Sequence, residues 1–141
     1  MTVHRAAPFS ALHFSVQISG AGMQGVDLGF SEVVFPTLAA SPAAADGQAE
    51  VPGAAPTLVL RRGFDGRLHL YRWWDQARRR QAQRGRTVTV RLLEADSRTP
   101  VTTWRFSQAR PLLLAYSPLD ALHGGVLMET LTLGLVSMTL R

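Results

Sequence analysis

Apolar and polar residues alternate with a period of two along most of this chain, and one stretch alone departs from that rhythm to follow a helical period. Successive side chains of an extended strand point to opposite faces, so each alternating run specifies a strand with one buried side. Phe14, Val16 and Ile18 alternate with Ser15, Gln17 and Ser19. Gly20-Ala21-Gly22 interrupts them and Val26, Leu28 and Phe30 resume the pattern, so residues 12 to 34 read as two strands joined by a glycine-rich turn. Thr57 to Arg62 forms the next strand. Later come Val88, Val90 and Leu92, then Val101 to Phe106 with Trp104 and Phe106 on one face, then Pro111 to Ala115, with turn residues Glu94 to Arg98 between the first two. In the last segment Leu131, Leu133 and Leu135 share one phase while Val136, Met138 and Leu140 take the other. A bulge or twist near Gly134 would switch the face, and so would burial on both sides. A strand apolar on both sides lacks cover in a domain with one helix, which predicts that a second copy covers it.

The helical stretch places Leu70, Trp73, Trp74 and Ala77 at i, i+3, i+4 and i+7, one stripe of a helix from about Leu68 to Arg84 with Gly85 as its stop. Between Pro36 and Pro56 the composition turns to Ala, Pro, Gly and Ser, and four prolines forbid a regular helix or central strand there. That segment, 36–56, reads as a long loop or arm within a single domain spanning 1–141. Altogether the chain predicts seven or eight strands and one helix, a mainly β (α+β) domain.

With 141 residues, the chain can bury roughly 68% of its unfolded surface and needs no cross-links. It has no cysteine, which excludes disulfide frameworks, thiolate metal sites and cysteine nucleophiles. No run of about 18 apolar residues occurs, and Met1 to Arg5 leads into no signal-peptide core, so folding in the cytoplasm without membrane insertion is expected. All 15 basic residues are arginine; 13 of them lie between Arg61 and Arg110 against four acids, a local net of +9 that with −4 elsewhere gives the overall +5. One electropositive surface follows, suited to nucleic acid, an anionic membrane or an acidic protein.

Gly20-Ala21-Gly22-Met23-Gln24-Gly25 matches G-x-G-x-x-G, but a dinucleotide site needs a helix directly after the glycines, and Val26, Leu28 and Phe30 alternate as a strand instead. A hairpin turn is the better reading. His4, His13, His69 and His123 stand apart without ligand spacing, so no metal or other cofactor is expected. The ten carboxylates are scattered and no nucleophile elbow is present, which argues against an enzyme. Arg72-Trp73-Trp74-Asp75-Gln76-Ala77-Arg78-Arg79-Arg80 could stack bases and hold phosphates, or its tryptophans could pack inward beneath a solvated arginine face. The stripe shared with Leu70 and Ala77 favours the second.

Several segments, taken in order, resemble a known family. Phe14-Ser15-Val16-Gln17-Ile18 and then Gly29-Phe30-Ser31-Glu32-Val33 are similar to the first strands and the G-F-S-E-V turn of inner tail-tube proteins from contractile phages and phage-like contractile injection systems. Leu58-Val59-Leu60-Arg61-Arg62-Gly63 resembles that family's L-x-L-x-R-G strand, and Leu70-Tyr71-Arg72-Trp73-Trp74 its L-Y-x-W helix start. Thr102 to Pro111 resembles W-x-F-x-N-A-W-P, and Met128-Glu129-Thr130-Leu131-Thr132-Leu133 resembles the closing I-E-x-L-x-L. Two departures stand out: Val34 to Pro56 replaces a charged, glycine-containing arm, and Arg110 replaces the tryptophan before the late proline.

The resemblance implies a β-sandwich or small barrel with one flanking helix, six copies of which close into rings whose strands line an inner barrel. Rings would stack into a conduit for cargo protein or DNA, with sheath and baseplate proteins as partners, assembled in the cytoplasm and carried in a particle that can be released. It further implies subunit-interface or structural roles for Gly29, Phe30, Ser31, Glu32, Arg62, Gly63, Trp74, Trp104, Glu129, Leu131 and Leu133, with Trp74 and Trp104 as core anchors. The alternatives are a tube-end adaptor at baseplate or cap, and a basic nucleic-acid-binding domain using Arg72, Arg78, Arg79 and Arg80.

Overall fold

A computed structural model describes residues 8–20, 26–38, 56–79 and 85–141. Among these residues are eight strands and one helix: β1 Phe14–Ser19, β2 Val26–Asp27, β3 Glu32–Val34, β4 Thr57–Gly63, α1 His69–Arg78, β5 Arg86–Leu93, β6 Pro100–Tyr116, β7 Met128–Gly134 and β8 Ser137–Leu140. All pairings are antiparallel, in the order β2-β1-β5-β6-β7-β4-β3, with β8 also paired to β6. The fold is a sandwich built on one strand that serves both layers. The first half of β6 lies between β5 and β8, and its second half pairs with β7, which leads on to β4 and β3.

Sequence alternation translates directly into the core. Val16 and Ile18 of β1, Val88 and Val90 of β5 and Phe106 of β6 face Leu58 and Leu60 of β4 and Leu131 and Leu133 of β7, all in one buried cluster. Leu70 and Trp73 add the inward stripe of α1, which packs on β6.

Where β6 passes from one layer to the other, its residue Gln108 adopts a left-handed φ of 56°, and the β5–β6 register slips between the Val88 and Arg86 pairs. An extra residue in one strand bends it, and here the bend carries β6 between the layers. Gly85 belongs to this bend: a Cβ there would sit 2.6 Å from backbone atoms of Gln108. The glycine is kept by close approach of two backbones and does not stop the helix, which ends at Arg78 with Arg79 as its cap. Pro111, which has no N–H to give, sits just beyond the bend opposite Leu133.

Other expectations need correction. The two strands read at Val101–Phe106 and Pro111–Ala115 are a single strand of 17 residues. The run Val26, Leu28, Phe30 is not one strand: β2 covers two residues, after which the buried Leu28 leaves the layer and β3 joins β4. The glycine-rich turn at 21–25, most of the Ala/Pro segment (39–55) and residues 80–84 lie outside the described residues.

The phase switch near Gly134 has a different cause from either expectation. β7 ends at Gly134 in one layer and β8 begins at Ser137 in the other, and Leu133, Leu135 and Met138 all pack against the same core. Of the second phase only Met138 faces inward, while Val136 and Leu140 stay exposed, 72% and 57%.

Candidate functional site

Three surfaces of the protomer carry the residues singled out by sequence. The first is a buried polar cluster at one end of the β4–β7 layer. Arg62 and Glu129 are register partners on β4 and β7, 2% and 0% exposed. Their closest approach is 3.9 Å, from Nη1 of Arg62 to Oε1 of Glu129. Glu129 Oε2 accepts a 2.7 Å hydrogen bond from the Tyr116 hydroxyl, while Arg62 Nη2 donates to Asp65 at 2.6 Å. Phe30 lies under the Arg62 guanidinium, 6.0 Å to the ring centre. Ser31 ties the same turn to β4, its N–H and hydroxyl both donating to the Arg61 carbonyl.

Asp65 also accepts from the Arg67 backbone N–H and from Arg67 Nε. Led by that backbone bond, these donors and the Arg62 guanidinium hold its carboxyl down at about 2 despite opposing desolvation. Tyr116 is pushed up to about 12, by burial first and then by the Glu129 carboxylate that accepts its proton's hydrogen bond. Phe30, Ser31, Arg62 and Glu129 thus meet around one cluster, and Gly63 lies beside it, in register with Met128. Tyr116 and Asp65 complete it and were missed by sequence, although the register of Tyr116 opposite Glu129 follows once β6 and β7 are paired.

The second surface is the open end between the layers. Ser31, Glu32 and Trp104 line a mainly apolar cavity of about 340 Å³ with Phe9, Phe14 and Phe35. Trp104 is partly buried against the core and contacts Phe35 at 4.8 Å between ring centres. Trp74 is likewise no full core anchor: Trp73 is the buried one, at 3% exposure, with the Arg86 guanidinium 4.8 Å over its ring. Trp74 is half-buried beside Tyr71 and beneath Arg78. Gly29 is exposed, with open space where a Cβ would go, whereas Leu131 and Leu133 are fully buried.

The third surface comprises edges and faces left unpaired. Among the described residues β8 pairs only with β6, and residues 111–116 of β6 pair only with β7, so each has one backbone edge open. Leu112, Leu113, Tyr116, Leu119, Leu122 and Val126, along β6 and the loop after it, are all exposed, Leu122 to 90%. On the outer face of the β1-β5-β6-β8 layer the register aligns Ser15, Arg91, Thr103 and Arg141 in one row and Gln17, Thr89, Arg105 and Thr139 in the next. The arginines of α1 are differently placed: Arg78 and Arg79 both pair with Asp75, at 2.7 and 3.2 Å. Among the described residues no group of His, Asp or Glu could hold a metal ion, and no helix is long and apolar enough to cross a membrane.

Residues 10–139 match the family model described as T4-like virus tail tube protein gp19. The chain belongs to this tail tube family. The tail tube fold recurs in solved structures of related particles. A chain in the 6-fold symmetrised baseplate of the anti-feeding prophage is 26% identical, with a TM-score of 0.72 and 97% of each chain covered. A chain in the PVC extracellular contractile injection system, from its sheath/tube terminator in the extended state, has 20% identity and a TM-score of 0.75, over 96% of this chain and 97% of that one. Hcp1 from Flavobacterium johnsoniae follows at 16% identity and a TM-score of 0.63, over 91% and 94%. No curated protein sequence matches. Members of the tail tube family are structural components and not enzymes, and this protein is a tail tube protein in that sense.

Proposed function

We propose that this tail tube protein forms rings of six that stack into the inner tube of a contractile injection system or phage-like tail, a conduit inside a sheath and above a baseplate. The observation that carries this reading is that, among the described residues, β8 and residues 111–116 of β6 each leave one edge unpaired, beside exposed leucines in a chain of the tube family. Open, apolar edges in a soluble protein are aggregation sites unless another chain pairs with them. A head-to-tail contact between two different edges closes into a ring when its rotation permits. The 6-fold symmetry named for the prophage baseplate supports six copies. The particle would be assembled in the cytoplasm and released with its cargo, protein or DNA.

A second reading, a tube-end adaptor, is favoured by the likeness to chains from a baseplate, a sheath/tube terminator and a tube-terminating cap. Electron microscopy of the purified protein, with its mass in solution, separates the two. Stacked rings support the main tube subunit, and single rings or none until a partner is added support the adaptor. Turning Leu113, 64% exposed, into Asp should abolish assembly while leaving the thermal midpoint within a few degrees.

A further inference from the structure

We infer that the outer face of the β1-β5-β6-β8 layer is a binding surface for the phosphate backbone of double-stranded nucleic acid, without sequence preference. The inference stands on the face itself and holds whether or not copies close into a ring. Three guanidiniums converge there: Arg91 and Arg105 project from adjacent strands one row apart, and Arg141 continues the Arg91 row beyond Thr103. Together with Thr103 and Thr139 they surround one depression of about 220 Å³. Arg91 is steadied by a 2.8 Å hydrogen bond to the amide oxygen of Gln17, a neutral partner that leaves its charge uncompensated. No Asp or Glu side chain pairs with these arginines among the described residues, whereas Arg62, Arg67, Arg78 and Arg79 all have carboxylate partners. In register, Asp27 of β2 follows Gln17 at the end of the second row.

From β1 to β8 the side chains of the two rows are Arg, Ser, Thr and Gln only. Those types supply the side-chain contacts that proteins make to phosphate oxygens. The rows hold no aromatic ring to stack an unpaired base, which disfavours single strands. They hold no apolar side chain from which a protein interface builds its dry centre, which disfavours a folded protein partner. What remains is a phosphodiester surface read through charge and hydroxyl contacts.

The test is fluorescence anisotropy of a labelled 20-base-pair duplex against the full chain between 50 and 200 mM salt. Three phosphate contacts give a log–log salt slope of about −2.7, so this fourfold rise in salt should weaken binding about 40-fold. The double substitution Arg91→Ser and Arg105→Ser should flatten the slope to about −0.9, while Arg72→Ser on the exposed side of α1 should leave it unchanged. A shallow slope in the unsubstituted protein, or equal loss with Arg72→Ser, overturns the inference. So does a poly-glutamate peptide that binds as tightly as the duplex and loses binding with the same two arginines, since the partner would then be an acidic polypeptide. Thermal melts confirm that each variant is folded. Electron microscopy of the same samples keeps the two ideas apart: rings without salt-dependent binding defeat this inference alone, and binding without rings defeats the ring alone.

Discussion

Arg62 and Glu129 face each other from β4 and β7 with almost no solvent access; among the described residues Arg62 is the cation nearest Glu129, and Arg62 also meets Asp65 at the rim. Removing Arg62 leaves the buried Glu129 charge uncompensated, which costs about 3–5 kcal/mol, whereas removing Glu129 leaves Arg62 its 2.6 Å pair with Asp65 and costs less. Arg62→Ala should lower the unfolding free energy from urea denaturation by that order, and Glu129→Ala by less. Tyr116→Phe removes one charge-assisted bond from a residue still 44% exposed, and about 1 kcal/mol is expected. Acid should weaken the same corner. Asp65 has a folded pKa of about 2, below its ordinary 3.8, so its contribution is complete above the unfolded value and is lost as pH falls from near 4 to near 2. Asp65→Asn should make that part of the pH–stability curve flatter. At the basic end Tyr116 runs the other way: stability should decline as pH rises from 10 towards 12, and Tyr116→Phe should remove the decline. These roles were only partly legible beforehand. Family resemblance pointed to Arg62 and Glu129, but their pairing needs the β4–β7 register, which no local pattern encodes.

Among the elements, β6 decides the architecture. Its bend at Gln108 is possible because Gly85 leaves room, so Gly85→Ala should force two backbones apart and cost about 1–3 kcal/mol, measurable by denaturation. Alternation showed where β1, β4 and β5 lie because each keeps one face inward along its whole length. It divided β6 in two and misplaced the meaning of the late phase switch, since both β6 and the β7–β8 run change layers midway. A period-two pattern records which side is buried, not which layer does the burying. The helix was legible for a similar reason in reverse: its stripe persists across Leu70, Trp73 and Ala77, but two adjacent tryptophans cannot both occupy the centre of one stripe, and Trp73 takes it.

At the level of the whole molecule, the basic middle of the sequence resolves into unlike surfaces. Among the described residues Arg62 is buried and Arg78 and Arg79 share Asp75, whereas Arg91 and Arg105 meet on the outer layer face without a carboxylate partner. Charge counting found the surplus and could not place it, because Arg91 of β5 and Arg105 of β6 come together only through strand pairing. Exposed leucines at 112, 113, 119 and 122 were likewise invisible as a group until the hairpin brought them to one border. Assembly should therefore respond to changes along that border and ignore neutralisation of the helix arginines: Arg78→Ser with Arg79→Ser should leave the sedimentation profile unaltered, whereas Leu113→Asp should shift it to single subunits.

The strand common to both layers also sets how the protein bears load. A pull or twist applied to one layer reaches the other through the covalent backbone of β6 from Pro100 to Tyr116, without relying on side chains to slip or grip. Two layers joined only by an apolar interface can shear; two layers threaded by one chain segment must yield together. Amide exchange should therefore show β5, β6 and β7 opening as one unit.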